Sequence, residues 1–288
     1  MDLVPQISRK TRYPSALEVS PYLRDHRLEG KVILPSVEIL IALAHVVKLH
    51  FPQMRMNCLL KASFPRFLFI APETQHLAIW VDIENVSDDR MTAVLLTSIK
   101  LKKSGIGRTL EHARVEFATD DSTPCPAAPF QALGKLEGKC IRVPATSIYR
   151  ELVPFGTAYQ NIMGDLAVSP EGALACLSGG NYEADEDLLG SPFPLDAAMH
   201  AACVWGQRFS GIVPFPTGFE KRSIYQKTRK GGSYLGRVVP VNAGQGSLLF
   251  DAWIYGSEGV IYEAIRGIKM RDVTQGRLQP PQWIQASL

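Results

Sequence analysis

Val37-Glu38-Ile39-Leu40-Ile41-Ala42-Leu43-Ala44-His45-Val46-Val47-Lys48-Leu49 is the stretch on which the fold turns. Its apolar residues cover nearly the whole circumference of a 3.6-residue helix, and a helix apolar all round has no face to give to water. It is expected to be buried. The residues that follow supply its cover. Four runs, 59–70, 76–86, 91–101 and 108–119, are rich in β-branched and aromatic residues. Asn, Asp, Gly or Pro clusters separate them, which reads as consecutive antiparallel strands. The chain before Leu34 reads as irregular.

The second half repeats the pattern without repeating the residues. A short helical piece at 147–153 precedes a β-like run at 166–178. A second apolar helix is expected over 195–209, opened by Pro192 and Pro194, because proline is tolerated in a first turn. Runs at 219–226, 234–241, 248–255 and 260–273 then read as strands. Between the halves, 119–129 holds Asp120-Asp121-Ser122-Thr123-Pro124 and three prolines, the composition of a linker. The expected division is 1–125 and 126–288. One buried helix followed by several strands, twice, is an α+β arrangement and not the strict alternation of a parallel sheet.

Composition narrows the function. The chain has 288 residues, 46% of them hydrophobic and 20% charged, which is ordinary for a globular protein. A net charge of +3, with no dense Lys/Arg run, gives no case for nucleic acid. The N-terminal residues lack an apolar signal core. The longest apolar stretch, 32–47, is interrupted by Pro35, Glu38 and His45, so no membrane span is expected. Five scattered cysteines without a C-x-x-C pair read as reduced thiols in a cytoplasmic protein. No phosphate-binding glycine loop, nucleophile elbow or metal-ligand spacing is present.

Three segments carry candidate chemistry. His26, Gly30 and Pro35 spell H-x-x-x-G-x-x-x-x-P just before the first helix. The start of that helix offers unpaired N–H groups and a positive dipole end, suited to polarising a thioester carbonyl and stabilising an enolate. Ser36 is the candidate donor, since Pro35 has no N–H. The same residues also read as a helix cap, a surface histidine and turn punctuation. In the second helix, Asp196-Ala197-Ala198-Met199-His200 puts Asp196 and His200 on one face, four residues apart. On so apolar a helix the carboxyl is expected to hold its proton and act as an acid, oriented by His200. The plainer reading is a dipole-offsetting aspartate with a core histidine. In Val153-Pro154-Phe155-Gly156-Thr157-Ala158-Tyr159-Gln160, Gly156 suits close approach of a substrate and Tyr159 suits a contact with it. This segment equally reads as a turn with two core aromatics.

Together these motifs resemble the dehydratase domain of polyketide synthases. His26, Gly30 and Pro35 match its first motif, and Asp196 and His200 match its D-x-x-x-Q/H. Phe155-Gly156-Thr157-Ala158-Tyr159-Gln160 resembles its Y-G-P-x-F-Q, and Val213-Pro214-Phe215-Pro216-Thr217-Gly218-Phe219 resembles its Leu-Pro segment after the second helix. Residues 259–271, with Arg266-Gly267-Ile268, resemble its closing strand. The likeness spans about residues 15–275.

The resemblance implies a double hotdog, two antiparallel sheets each wrapped around a long buried helix. It implies that His26 takes the α-proton of a β-hydroxyacyl thioester, Asp196 protonates the departing hydroxyl and His200 holds Asp196. Gly30, Pro35, Ser36, Gly156 and Tyr159 are the implied substrate-binding set. The implied partners are an acyl carrier protein bearing a phosphopantetheine-linked substrate, other synthase domains or subunits, and a second copy in a homodimer. The expected pathways are polyketide and fatty-acid biosynthesis. No cofactor or metal is required. Three positions depart from the family: Ser36 for a glycine, Phe155 for a tyrosine and Thr157 for a proline. Alternatives on the same scaffold are an aldol cyclase resembling product-template domains and a non-catalytic module holding acyl chains or carrier protein.

Overall fold

The computed structural model describes residues 10–87, 89–100, 107–119, 135–183, 188–244 and 247–285. The expected boundary at 125/126 and most of the proline-rich linker lie outside these residues.

The described residues open with a strand that the sequence did not signal. β1 (Lys10–Glu18) is nine residues long and alternates exposed with half-buried positions. It forms one edge of the sheet, where Pro14 is tolerated because no ladder is needed on the outer side. A 3-10 turn (Pro21–Asp25) leads to two short strands, β2 (Arg27–Leu28) and β3 (Lys31–Ile33). Glu29 and Gly30 join them with φ values of 49° and 77°, so Gly30 serves a tight hairpin turn. Next comes α1 (Ser36–His50), with Leu40, Leu43 and Val47 fully buried. The run expected at 59–70 is two elements: β4 (Cys58–Ser63) in the main sheet and β5 (Phe69–Ile70) paired with β3. The strands β6 (His76–Ser87), β7 (Arg90–Lys100) and β8 (Gly107–Ala118) form a meander across α1.

The first strand among the described residues of the second half is β9 (Ile141–Pro144), also unforeseen. A single turn α2 (Ala145–Ser147) continues into a wider turn at Ile148–Leu152, and a 3-10 turn follows at Thr157–Tyr159. The run expected at 166–178 is a hairpin of β10 (Ile162–Ser169) and β11 (Gly172–Ser178). Gly172 starts the return strand at φ 135°, where a side chain would strike the Val238 carbonyl. Then come α3 (Phe193–Phe209), β12 (Phe215–Ile224), β13 (Ser233–Gly244), β14 (Ser247–Tyr255), β15 (Ile261–Arg271) and a short α4 (Gln282–Gln285).

Every strand pairing among the described residues is antiparallel. The first half contributes the order β1-β6-β7-β8-β4 and the second β12-β15-β14-β13-β11-β10-β9. The two sheets meet where β4 pairs with β12, Ala62 opposite Phe219 and Leu60 opposite Lys221, giving one continuous sheet of 12 strands. Each half of the sheet wraps its own helix. The core is continuous across both halves, so α1 and α3 face each other inside one apolar body. The double hotdog is therefore present, with its two sheets joined side by side.

Candidate active site

His26 follows the first 3-10 turn and is 8% exposed. Its Nδ1 lies 3.1 Å from the Ile33 carbonyl oxygen. A carbonyl only accepts, so Nδ1 carries the proton and Nε2 keeps its lone pair, the form a base needs. The Phe155 ring lies over the imidazole with centroids 4.1 Å apart, and the Tyr159 ring stands edge-on at 5.1 Å. Burial under these rings lowers the His26 pKa from 6.5 to about 4; the Asp196 charge pulls it up and His200 pushes it down.

Asp196 sits in the first turn of α3 and is 5% exposed. His200, one turn on, brings Nε2 to 3.0 Å from Asp196 Oδ2. The two atoms approach without hydrogen-bond alignment, and both stay without a hydrogen-bond partner. Tyr149 and Phe155 flank the His200 ring at 5.9 and 5.2 Å. Tyr149 is fixed by the Ile162 N–H, which donates to its oxygen at 2.8 Å.

His26, Asp196 and His200 open onto one cavity of about 500 Å³, with Ser36, Phe155 and Met199 on its walls. The volume is ordinary for a small-molecule site. Ser36 begins α1, so its N–H has no acceptor within the helix, and its hydroxyl points to Met199 Sδ at 3.8 Å. Gly30 lines the cavity as well. Pro214, Phe215 and Pro216 line it too, as do Leu278 and Gln279 from the C-terminal segment.

Three expected substrate contacts stand behind the wall instead. Pro35 caps α1, and its carbonyl accepts from the Glu38 and Ile39 N–H groups, each at 3.1 Å. Gly156 gives its N–H to the Asp25 carbonyl at 2.8 Å, so its close approach is to the chain itself. Tyr159 is fully buried, with its hydroxyl 3.5 Å from Glu38 Oε1. Burial, reinforced by the Glu38 charge, pushes the Tyr159 pKa well above its usual value and keeps the hydroxyl neutral. Asp25, next to His26 in the chain, drew no notice from the sequence. Its adjacency to the motif histidine was the available signal.

In fold, the chain is similar to the dehydratase domain from the CurJ module of curacin polyketide synthase. That match has a TM-score of 0.72 at 14% identity and covers 98% of this chain and 96% of that one. The dehydratase domain from the CurF module gives 0.69 at 19% identity, covering 94% and 95%. A bifunctional dehydratase-cyclase domain in ambruticin biosynthesis gives 0.66 at 18%, covering 91% of each chain. Residues 143–280 match the family model described as polyketide synthase dehydratase N-terminal domain. The fold is that of a polyketide synthase dehydratase domain. The dehydratase match in sequence takes in α3 with Asp196 and His200, and it leaves His26 outside. No curated protein matches the chain in sequence. Among the described residues no helix is long and apolar enough to cross a membrane, and no His/Cys/Asp/Glu group is arranged to hold a metal ion.

Proposed function

We propose that the chain is a 3-hydroxyacyl-thioester dehydratase, a hydro-lyase that removes water from a carrier-bound β-hydroxyacyl chain. One observation carries this reading: an imidazole with a free Nε2 and a carboxyl with a histidine at its side share a cavity although they come from different halves of the molecule. His26 Nε2 takes the α-proton, and the electron pair moves into the thioester as an enolate. The enolate re-forms the carbonyl, the Cα–Cβ double bond closes and the Cβ–O bond breaks. Asp196 gives its proton to the departing hydroxyl, which leaves as water. The imidazolium and the carboxylate then reset by proton exchange. His200 orients Asp196, and the Ser36 N–H supports the enolate. General acid–base catalysis supplies about 10²–10⁴-fold and an oriented amide roughly 10²–10³-fold more.

The substrate reaches this cavity as a phosphopantetheine thioester on an acyl carrier protein in the cytoplasm. Other synthase domains and a second copy of the chain are the further partners of this reading. The chain divides at 125/126 into a half bearing His26 and a half bearing Asp196.

The test is incubation of the purified chain with a small panel of 3-hydroxyacyl thioesters and a poly-β-ketoacyl thioester. Loss of water from a hydroxyacyl substrate, giving the 2-enoyl product, is expected. A ring-closed product from the polyketone alone supports the cyclase, and tight binding without turnover supports a non-catalytic module. Either result overturns the proposal.

A further inference from the structure

We infer that Asp25 is a positioning residue that hangs the 155–159 segment on the residue beside His26, and so fixes His26 against the helix carrying Asp196. Its consequence for turnover rests on the dehydratase reading; its consequence for the placement of His26 rests on geometry alone.

Asp25 makes three bonds to the other half of the molecule. Its backbone oxygen accepts from the Gly156 N–H at 2.8 Å. Its Oδ2 accepts from the Ala158 N–H at 3.0 Å and from the Thr157 hydroxyl at 3.3 Å. The fit is close enough to dictate the partner: a Cβ on Gly156 would lie 2.6 Å from Asp25 Oδ1. The hung segment is stiff. Gln160 Nε2 donates to the Phe155 carbonyl and Asn161 Nδ2 to the Ala158 carbonyl, both at 2.8 Å. At its other end the segment is tied to α3, where Gln207 Nε2 donates to the Leu152 carbonyl at 2.9 Å. A bonded path thus runs from His26 through Asp25, the 152–158 segment and Gln207 to the helix that bears Asp196 and His200. The same segment lays Phe155 over the His26 ring. Without the Asp25 carboxylate, two of the three bonds go, the segment lifts and water reaches the imidazole.

The test pairs an NMR titration of the His26 ring with kcat and KM on a 3-hydroxyacyl thioester, in wild type, Asp25→Ala and Asp25→Asn. The buried ring starts near 4. In Asp25→Ala it is expected to rise toward 6.5 by roughly one unit or more, because burial is the main cause of its depression. Removing a negative charge beside His26, with Asp196 and His200 unchanged, would lower it instead, so a rise reports loosening. The accompanying kcat is expected to fall on the order of 10–100-fold with KM nearly unchanged, the signature of misplacement. Asp25→Asn keeps an acceptor oxygen and is expected to restore both readings to within about threefold. An unshifted titration in Asp25→Ala, or an Asn variant as impaired as Ala, overturns the inference. If Asp25→Ala fails to fold, Gly156→Ala pushes the same segment from the other side. It must then show the same rise, and no rise overturns the inference. A shifted titration in a chain that turns over no thioester overturns the dehydratase reading and supports the placement of His26.

Discussion

His26 is neutral in the folded chain well below the pH at which a free histidine charges, and this has two measurable consequences. Its folded pKa of about 4 lies below the unfolded value of 6.5. Between those limits the unfolded chain binds more protons, so the stability this residue contributes is whole above pH 6.5 and is lost as pH falls toward 4. A depression of this size is worth on the order of 3 kcal/mol. Wild type is expected to lose about that much more than His26→Asn when denaturant unfolding is compared at pH 7 and pH 4; equal losses would contradict the burial. In turnover, the acid limb of kcat/KM for the free protein is expected near pH 4 and not near 6.5. Phe155 shields the ring, so Phe155→Ala should move that limb upward. Of this site, Asp196 and His200 stand out in the sequence because a carboxyl and an imidazole four residues apart are conspicuous on an apolar helix, whereas His26, which precedes the first helix, is marked only by the H-x-x-x-G-x-x-x-x-P spacing. The supporting roles were less legible. Gly156 reads from sequence as room for a substrate, whereas the space is filled by Asp25, a neighbour 131 residues away that no spacing announces.

The two helices are the elements the sequence declares most openly, and their packing explains why. α3 buries every residue from Phe193 to Gln207, so its apolar circumference is a requirement and not a bias. Gly206 shows how little room remains: a Cβ there would lie 2.6 Å from Pro214 Cγ and 2.8 Å from Leu248 Cδ1. Gly206→Val is expected to lower stability by about 1–3 kcal/mol in denaturant unfolding. Because Pro214 lines the cavity, it should also lower turnover; a variant equal to wild type in both would show that this wall is soft. The strands were harder to read. β1 escaped notice because an edge strand alternates only weakly and carries Pro14, a residue that ordinarily argues against a strand. The run at 59–70 was divided between two sheets, since β4 pairs with β8 and β12 while β5 pairs with β3. Periodicity marks extended chain but does not name its partner.

At the scale of the molecule, the β4–β12 seam makes one body of two hotdogs. Its register depends on Gly218, where a side chain would strike the Ala62 carbonyl across the pairing. Beside it Arg222, 2% exposed, donates from Nε to Glu263 Oε2 at 2.7 Å and from Nη2 to the Leu189 carbonyl at 3.2 Å. Glu263→Ala leaves that guanidinium buried without its carboxylate and is expected to cost about 3–5 kcal/mol. A loss under 1 kcal/mol in urea unfolding would show that the pair is dispensable. This joint was not legible, because a pairing between strands more than 150 positions apart leaves no local mark. The proposed function nevertheless depends on it, since the seam joins the half bearing His26 to the half bearing Asp196, and both residues line one cavity. The most direct measurement of that claim is the turnover of His26→Ala and Asp196→Asn on a hydroxyacyl thioester that wild type converts, with thermal unfolding recorded alongside. Each variant is expected to unfold cooperatively and to lose on the order of 10²–10⁴-fold in kcat. Either variant, folded and working at the wild-type rate, would contradict the account.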